Sequence, residues 1–260
     1  MLVEGMRQVY ERFGVLVSIR RVIEGQITIG TLALYIEQEL NSQHSLKKKS
    51  QTTHWQVERE IQLAPSQQHV GFLTRYSNEA GAAFNEALAV KLNGSLHGPA
   101  LHTAMEEAGK RYEALRTALN PEQNSLDIGT GEPLELVVTP ASVNQVQARL
   151  NEIVARPFEI GRRLFRAELL RLSENEHVLV LVGHTLVIEQ QGLFIILRDI
   201  AELYRVYSLD QETGTAPLAL QWTDYLALSA TDEAKDAREH AEKYWKKLFA
   251  SGVPQLESEH

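Results

Sequence analysis

A group of polar residues follows the most apolar stretch of the chain. Residues 177–183 read His-Val-Leu-Val-Leu-Val-Gly, and His184, Thr185 and Glu189 follow before a second apolar segment begins at Leu193. This pattern predicts a buried strand, a polar turn and then a helix. A histidine at the end of such a strand can accept or orient a proton at neutral pH, because imidazole titrates at about 6.5. The alternative is a histidine that only completes the core, and the residue types alone favour that alternative.

Other kinds of chemistry find little support in the sequence. The chain has no cysteine, which removes disulfides, thiol nucleophiles and cysteine-ligated metal sites. It has no P-loop, no Gly-x-Ser-x-Gly elbow and no His-Glu-x-x-His zinc motif. His97 and His102 are five positions apart with a proline between them, which is a poor spacing for metal ligands. We therefore expect this chain to bind no metal and no cofactor itself.

The charge and the apolar pattern narrow the class of protein. The 26 basic and 34 acidic side chains give a net charge of −8, which argues against nucleic acid as the main partner. Residues 1–5 lack the apolar run of a signal peptide. The longest apolar stretches, such as 178–182, are far shorter than the roughly 18 residues of a membrane span. We expect a cytoplasmic protein that does not enter a membrane.

The apolar periodicity divides the chain into four parts. Residues 1–42 are predicted to form short helices, with Thr28 as the N-cap of the second, and residues 43–60 a polar linker. Residues 61–250 form the main body, and 251–260 a tail. Strands are predicted over 83–92, 135–138, 164–172 and 177–182, and helices over 99–119, 143–155, 192–207 and 231–249. This alternation predicts a layered α/β domain.

Several short motifs agree in order and spacing with a known family. They are Leu-Ala-Pro-Ser-Gln at 63–67, Arg-Tyr-Glu-Ala-Leu-Arg-Thr at 111–117, Pro-Phe at 157–158, Trp-Thr-Asp-Tyr at 222–225 and Tyr-Trp at 244–245. Together with residues 177–204, they make the main body resemble the condensation domains of nonribosomal peptide synthetases. The resemblance implies a chloramphenicol-acetyltransferase-like two-layer α/β sandwich, of which this chain has one lobe only, preceded by a short all-helical N-terminal segment.

The family's His-His-x-x-x-Asp-Gly motif falls on this segment with substitutions. His184 takes the first histidine, Thr185 the second, Glu189 the aspartate and Gln190 the glycine. In the family the second histidine is catalytic, and a threonine hydroxyl has no comparable basicity. Successive side chains of a strand point to opposite faces, so we expect His184 to lie in the core, away from the position of Thr185.

His184, Thr185 and Glu189 are therefore the candidate catalytic residues, and the other motif residues are expected to have structural roles. Glu189 can still form the aspartate's salt bridge, with Arg111 or Arg116 as the candidate partner. The resemblance places Glu113 and Asp224 in the family's other motifs.

Residues 1–42 resemble the C-terminal part of a carrier-protein domain. In that family a serine carries phosphopantetheine, and here that serine would lie just before Met1. The resemblance therefore implies phosphopantetheine on partner carrier domains and none on this chain. The partners it implies are carrier domains bearing thioester substrates and the missing C-terminal lobe.

The resemblance leaves three functions open. The first is a fragment of a modular peptide or hybrid polyketide–peptide synthetase, in which acyl transfer from a carrier thioester to an amine is impaired or lost. The second is a non-catalytic platform that binds carrier proteins or tailoring enzymes. The third is a stand-alone acyltransferase of the same fold that needs a partner lobe. The replacement of the second histidine by Thr185 favours the platform over an active condensing enzyme.

Overall fold

The computed structural model describes residues 5, 8–9, 12–13, 15, 17, 28–46, 57–120, 122–130, 133–210, 218–229 and 231–253. The strands are β1 (Val57–Gln62), β2 (Asn85–Asn93), β3 (Thr117–Leu119), β4 (Ser125–Gly129), β5 (Leu136–Pro140), β6 (Phe165–Arg171) and β7 (Glu176–His184). The α-helices are α1 (Ile29–Leu46), α2 (Pro65–Tyr76), α3 (Asn78–Ala82), α4 (Gly98–Arg111), α5 (Val146–Ala155), α6 (Gln190–Tyr207), α7 (Trp222–Ser229) and α8 (Asp232–Leu248). None of the helices in these ranges combines the length and apolarity that a bilayer span requires.

The larger of the two sheets has β7 at its centre. Its strand order is β2-β7-β6-β5, with β7 antiparallel to both neighbours and β5 parallel to β6. Residues 178–182, which read Val-Leu-Val-Leu-Val, are all buried. The apolar run has no polar alternation because both faces of the strand are covered. The smaller sheet has the order β1-β4-β3.

Helices α4 and α6 pack against each other and extend the core of the larger sheet. The buried residues of α6 recur every three or four positions, at Leu193, Ile196, Ile200 and Leu203. This spacing places them on one stripe of the helix, as the apolar periodicity predicts. The predicted elements at 83–92, 135–138, 143–155, 164–172, 177–182, 192–207 and 231–249 are confirmed, with boundary shifts of a few residues.

The predicted helix over 99–119 is wrong in its last third. Helix α4 ends at Arg111, and Tyr112 is extended, with φ −109° and ψ 112°. A 3-10 turn over Glu113–Arg116 leads into β3, which pairs with β4. Every residue of β3 is buried, so its apolar side chains belong to the second sheet rather than to a helical stripe.

The helix before the main body extends further than predicted. The N-cap role of Thr28 is confirmed, since its Oγ1 accepts the Thr31 N–H at 3.2 Å. However, α1 continues beyond position 42 to Leu46, and β1 begins at Val57. The predicted helix stop at Gly14 and the predicted loop at 214–217 lie outside the described residues.

The tight turn after β7 leads to a prediction about stability. A Cβ added at Gly183 would overlap Ile188 Cγ2, because the turn after β7 folds Ile188 back onto the strand. We expect Gly183→Ala to lower the free energy of unfolding by about 1–3 kcal/mol, measured by urea denaturation. Gly98→Ala is the matched control, because a Cβ there meets no atom within 4 Å. Equal midpoints for the two variants would contradict this packing.

Candidate active site

The end of β7 fixes the backbone of the two central motif residues. The His184 N–H donates to the Leu164 carbonyl at 3.0 Å, and the Thr185 N–H donates to the Phe84 carbonyl at 2.9 Å. The chain then turns, and the N–H groups of Val187 and Ile188 both donate to the His184 carbonyl, at 2.9 and 3.1 Å. The strand therefore ends in a tight turn that determines where each side chain points.

The imidazole of His184 is fully buried and uses both of its nitrogens inside the protein. Nδ1 accepts the backbone N–H of Leu186 at 3.2 Å. Nε2 lies 3.1 Å from the Thr74 hydroxyl, which donates its own proton to the Val70 carbonyl at 2.8 Å. Since Nδ1 is an acceptor and the Thr74 proton is already used, Nε2 carries the hydrogen and donates it to Thr74 Oγ1.

Burial also keeps this imidazole neutral. It lowers the pKa of His184 from 6.5 to about 4, opposed by a hydrogen bond with the Gly81 backbone. The rings of Phe84 and Phe158 lie 6.1 and 6.3 Å from the imidazole, between ring centroids. In these surroundings a charged imidazolium loses the stabilisation that water gives it, and no acidic side chain of the described ranges lies close enough to compensate for that loss. At neutral pH, His184 therefore has no lone pair and no exchangeable proton free for a substrate.

Thr185 is partly exposed, whereas His184 is buried and Glu189 and Gln190 are exposed. The Thr185 hydroxyl has no hydrogen-bond partner in the part of the chain that the structure describes. A hydroxyl can donate or accept a hydrogen bond, but it does not act as a base near neutral pH. The resemblance assigns this position to the family's catalytic histidine, and the group present here is weakly reactive.

Helix α2 supplies two supporting residues that the sequence analysis did not identify as such. Besides Thr74, it carries Gln67, whose Oε1 accepts the Ala64 N–H and whose Nε2 donates to the Leu186 carbonyl, both at 2.9 Å. Gln67 thus links the start of α2 to the turn after β7. The motif at 63–67 marked this region in the sequence. However, Leu186, whose carbonyl Gln67 contacts, lies 119 positions further along the chain.

The expected salt bridge of Glu189 does not form with either candidate arginine. Arg116 pairs with Glu58 at 2.6 Å, and Arg111 lies 3.4 Å from Asp199. Glu189 is exposed at the N-cap of α6, where its side chain makes no capping hydrogen bond. A carboxylate at this end of a helix is favoured by the helix dipole, which does not require an arginine partner.

The motif glycine position is also exposed. Gln190 begins α6, and its side chain has no hydrogen bond among the described residues. A side chain in this place therefore requires no rearrangement of the turn.

Two of the other motif residues, Glu113 and Asp224, lie beside Arg59. Its guanidinium donates to Glu113 Oε1 at 2.5 Å and lies 3.7 Å from Asp224. Glu113 is buried, accepts a short hydrogen bond from Thr223 and lies 3.9 Å from Arg116. This network joins β1, the 3-10 turn and α7, so we assign these residues to structure rather than to chemistry.

The hydrogen bond between His184 and Thr74 predicts a stability change. Thr74→Val keeps the shape of the side chain but removes the hydroxyl that accepts the buried Nε2–H. We expect a loss of about 1–3 kcal/mol in the free energy of unfolding, measured by urea denaturation. Thr103→Val is the control, since its hydroxyl bonds an exposed carbonyl on α4. If both variants unfold at the same midpoint, Thr74 does not support the imidazole.

Comparisons with known proteins identify the family of this chain. The family model for the condensation domain matches residues 57–257. Chondramide synthase cmdD of Chondromyces crocatus is 30% identical over 211 residues, which are 77% of this chain and 5% of that protein. Tyrocidine synthase 3 of Brevibacillus parabrevis is 30% identical over 179 residues, which are 68% of this chain and 3% of that protein.

Solved structures show the same fold. The complex of the X-domain and OxyB from teicoplanin biosynthesis aligns with a TM-score of 0.65 at 26% identity, over 78% of this chain and 46% of that chain. The starter condensation domain of rhizomide synthetase RzmA aligns with a TM-score of 0.64 at 16% identity, over 73% of this chain and 48% of that chain. The chain thus spans about half of these solved chains and a small part of the synthases. The chloramphenicol-acetyltransferase-like fold is confirmed, and the chain belongs to the condensation-domain family of nonribosomal peptide synthetases.

Proposed function

We propose that this domain no longer condenses its substrates efficiently and acts as a platform that binds carrier proteins or tailoring enzymes. The observation that carries the proposal is the state of the motif. His184 is buried and neutral with both nitrogens bonded, and Thr185 occupies the position of the family's catalytic base. General-base catalysis is worth about 10²–10⁴ in rate, so its loss leaves mostly binding and positioning.

The likeness to the teicoplanin X-domain supports a role in recruitment. That domain has been solved in complex with OxyB, and it is 26% identical to this chain. A fold that keeps its core while losing a reactive group retains its surfaces for partners. We propose that such partners are carrier domains with thioester-bound substrates, or an enzyme that modifies those substrates.

The second candidate is an active condensing domain. It would transfer an acyl group from a carrier thioester to an amine, forming an amide and releasing the carrier thiol. The 30% identity to chondramide synthase cmdD favours this candidate. In that case substrate positioning alone would supply the rate.

The substitution Thr185→His distinguishes the two candidates. In the full-length protein with loaded donor and acceptor carriers, we expect the wild type to bind carrier and give no amide, measured by mass spectrometry. We expect Thr185→His to raise amide formation by about 100-fold or more if a base is all that is missing. The control is Thr103→His on α4. Amide formation by the wild type at a rate that Thr185→His does not improve would contradict the platform.

The exposed face of α8 supports the proposal that a second half of the domain packs against it. No residue of α8 is buried, yet its end carries an aromatic cluster. Trp245 stacks on Phe249 with ring centroids 5.7 Å apart, and Tyr244 meets Trp245 edge-on at 5.3 Å. These rings and Leu248 are among the exposed large hydrophobic residues. Since the solved relatives are about twice as long, we propose that their additional half has a counterpart that covers this face.

This proposal predicts that α8 is stabilised from outside the chain. We expect Trp245→Ala to change the unfolding free energy of the 260-residue chain by less than about 0.5 kcal/mol. In the full-length protein we expect a loss of about 3–5 kcal/mol, as for a buried aromatic residue. Both are measured by urea denaturation, with exposed Val143→Ala as the control. The same small loss in both contexts would show that nothing packs on α8.

The carrier-protein interpretation of residues 1–42 stays a prediction. Two relatives give it support, because their matches extend beyond the main body. A plipastatin synthase of Bacillus subtilis is 23% identical over 97% of this chain, and gramicidin S synthase 2 of Brevibacillus brevis is 26% identical over 91%.

A further inference from the structure

A second polar cleft lies at the opposite end of β7 from His184. Arg171 of β6 and His177 of β7 are direct partners in the larger sheet, and Leu169 is paired with Leu179 two positions further. Residues directly opposite each other, and residues two positions apart on a strand, lie on the same face of a sheet. On this face a cleft of about 420 Å³ is lined by Arg171, His177, Leu169 and the loop residue Leu96, among others.

His177 forms part of the wall of this cleft. The residue is only 5% exposed, and its Nδ1 is buried without a hydrogen-bond partner in the described part of the chain. Its Nε2 also has no hydrogen-bond partner among the described residues but is not buried. A polar group of a ligand in the cleft can therefore bond Nε2, which is a reason to regard the cleft as a binding site.

Arg171 supplies a positive charge next to this imidazole. It forms no ion pair within the described ranges, although it lines the same cleft as His177. A guanidinium beside an imidazole N–H is a donor set that suits a carboxylate. Glu174 also lines the cleft, so the side-chain charges of Arg171 and Glu174 cancel. Glu174 repels a doubly charged group such as phosphate more strongly than a singly charged carboxylate, so a monocarboxylate is the better matching anion.

The remaining walls indicate what the carboxylate is attached to. Leu96, Val138 and Leu169 form an apolar side of the cleft, and Val138 is 57% exposed. An aliphatic group placed there would remove this surface from water. We propose that the cleft binds a small aliphatic monocarboxylate, with the carboxylate on Arg171 and His177 and the aliphatic part on Val138.

This site is separate from the motif at the other end of the strand. Positions 177 and 184 are seven residues apart, about 23 Å along a strand at about 3.3 Å per residue, and they face opposite sides of the sheet. Ligand binding in this cleft therefore does not depend on whether Thr185 supports catalysis.

The test is a titration of the 260-residue chain with 4-methylpentanoate, followed by calorimetry and by NMR of the histidine imidazoles. The chain has nine histidines, and the His177 signal is assigned by its loss in His177→Gln. We expect saturable binding that shifts the His177 signal and leaves that of His184 unchanged. The neutral analogue 4-methylpentanamide should bind about tenfold more weakly or not at all.

Arg171→Met should weaken carboxylate binding by about tenfold or more, whereas Arg149→Met on α5, which removes the same charge outside the cleft, should leave it unchanged. Three results would overturn the proposal. They are equal binding of the amide and the carboxylate, equal binding by the two arginine variants, and no His177 shift at up to about 10 mM ligand. Equal binding of inorganic phosphate would replace the carboxylate site with a general anion site, and would also overturn it.

Discussion

The structure depends on one constraint, the need to satisfy a buried imidazole at the end of the central strand. His184 can remain in the core only as a neutral ring with both nitrogens bonded, because neither an imidazolium nor an unpaired ring nitrogen is tolerated there without a large penalty. Its Nδ1 bonds the backbone of the turn, and its Nε2 bonds Thr74 of α2. The same contacts therefore join strand, turn and helix, and they determine which motif side chain can face a substrate.

That constraint links the fold to the proposed function. Holding His184 inside removes its imidazole from the reach of a substrate, and the next position, 185, is a threonine. The rest of the architecture is retained: the central strand is buried, α6 packs its apolar stripe, and the network around Glu113 is formed. A domain that keeps its framework and its surfaces but lacks the basic group is suited to binding. The exposed aromatic residues of α8 indicate where further protein would pack.

The sequence predicted the elements whose signals are local. The unbroken apolar run of β7 and the stripe of α6 are periodic patterns, and both were identified. Residues 112–119 were misread because Leu115 and Leu119 fit a helical spacing, while their burial comes from the second sheet. Helix α2 was missed because its start, Ser-Gln-Gln-His, has little apolar periodicity. The contact between Thr74 and His184 spans 110 positions, and a single sequence has no local signal for such a pair. The salt bridge expected for Glu189 failed for the same reason, since both arginines have closer acidic partners.

The most direct measurement is an NMR titration of the His184 imidazole nitrogens in histidine-labelled protein, between pH about 3.5 and about 7.5. The account predicts one neutral form, protonated at Nε2, throughout the range above pH about 5, with a pKa near the value of about 4 that burial imposes. Because the unfolded imidazole binds its proton near pH 6.5, protein stability should also fall as the pH decreases from about 6.5 to about 4, by up to about 1.4 kcal/mol per pH unit. An imidazole that titrates near 6.5 in the folded protein, or one protonated at Nδ1, would contradict the structural role of His184.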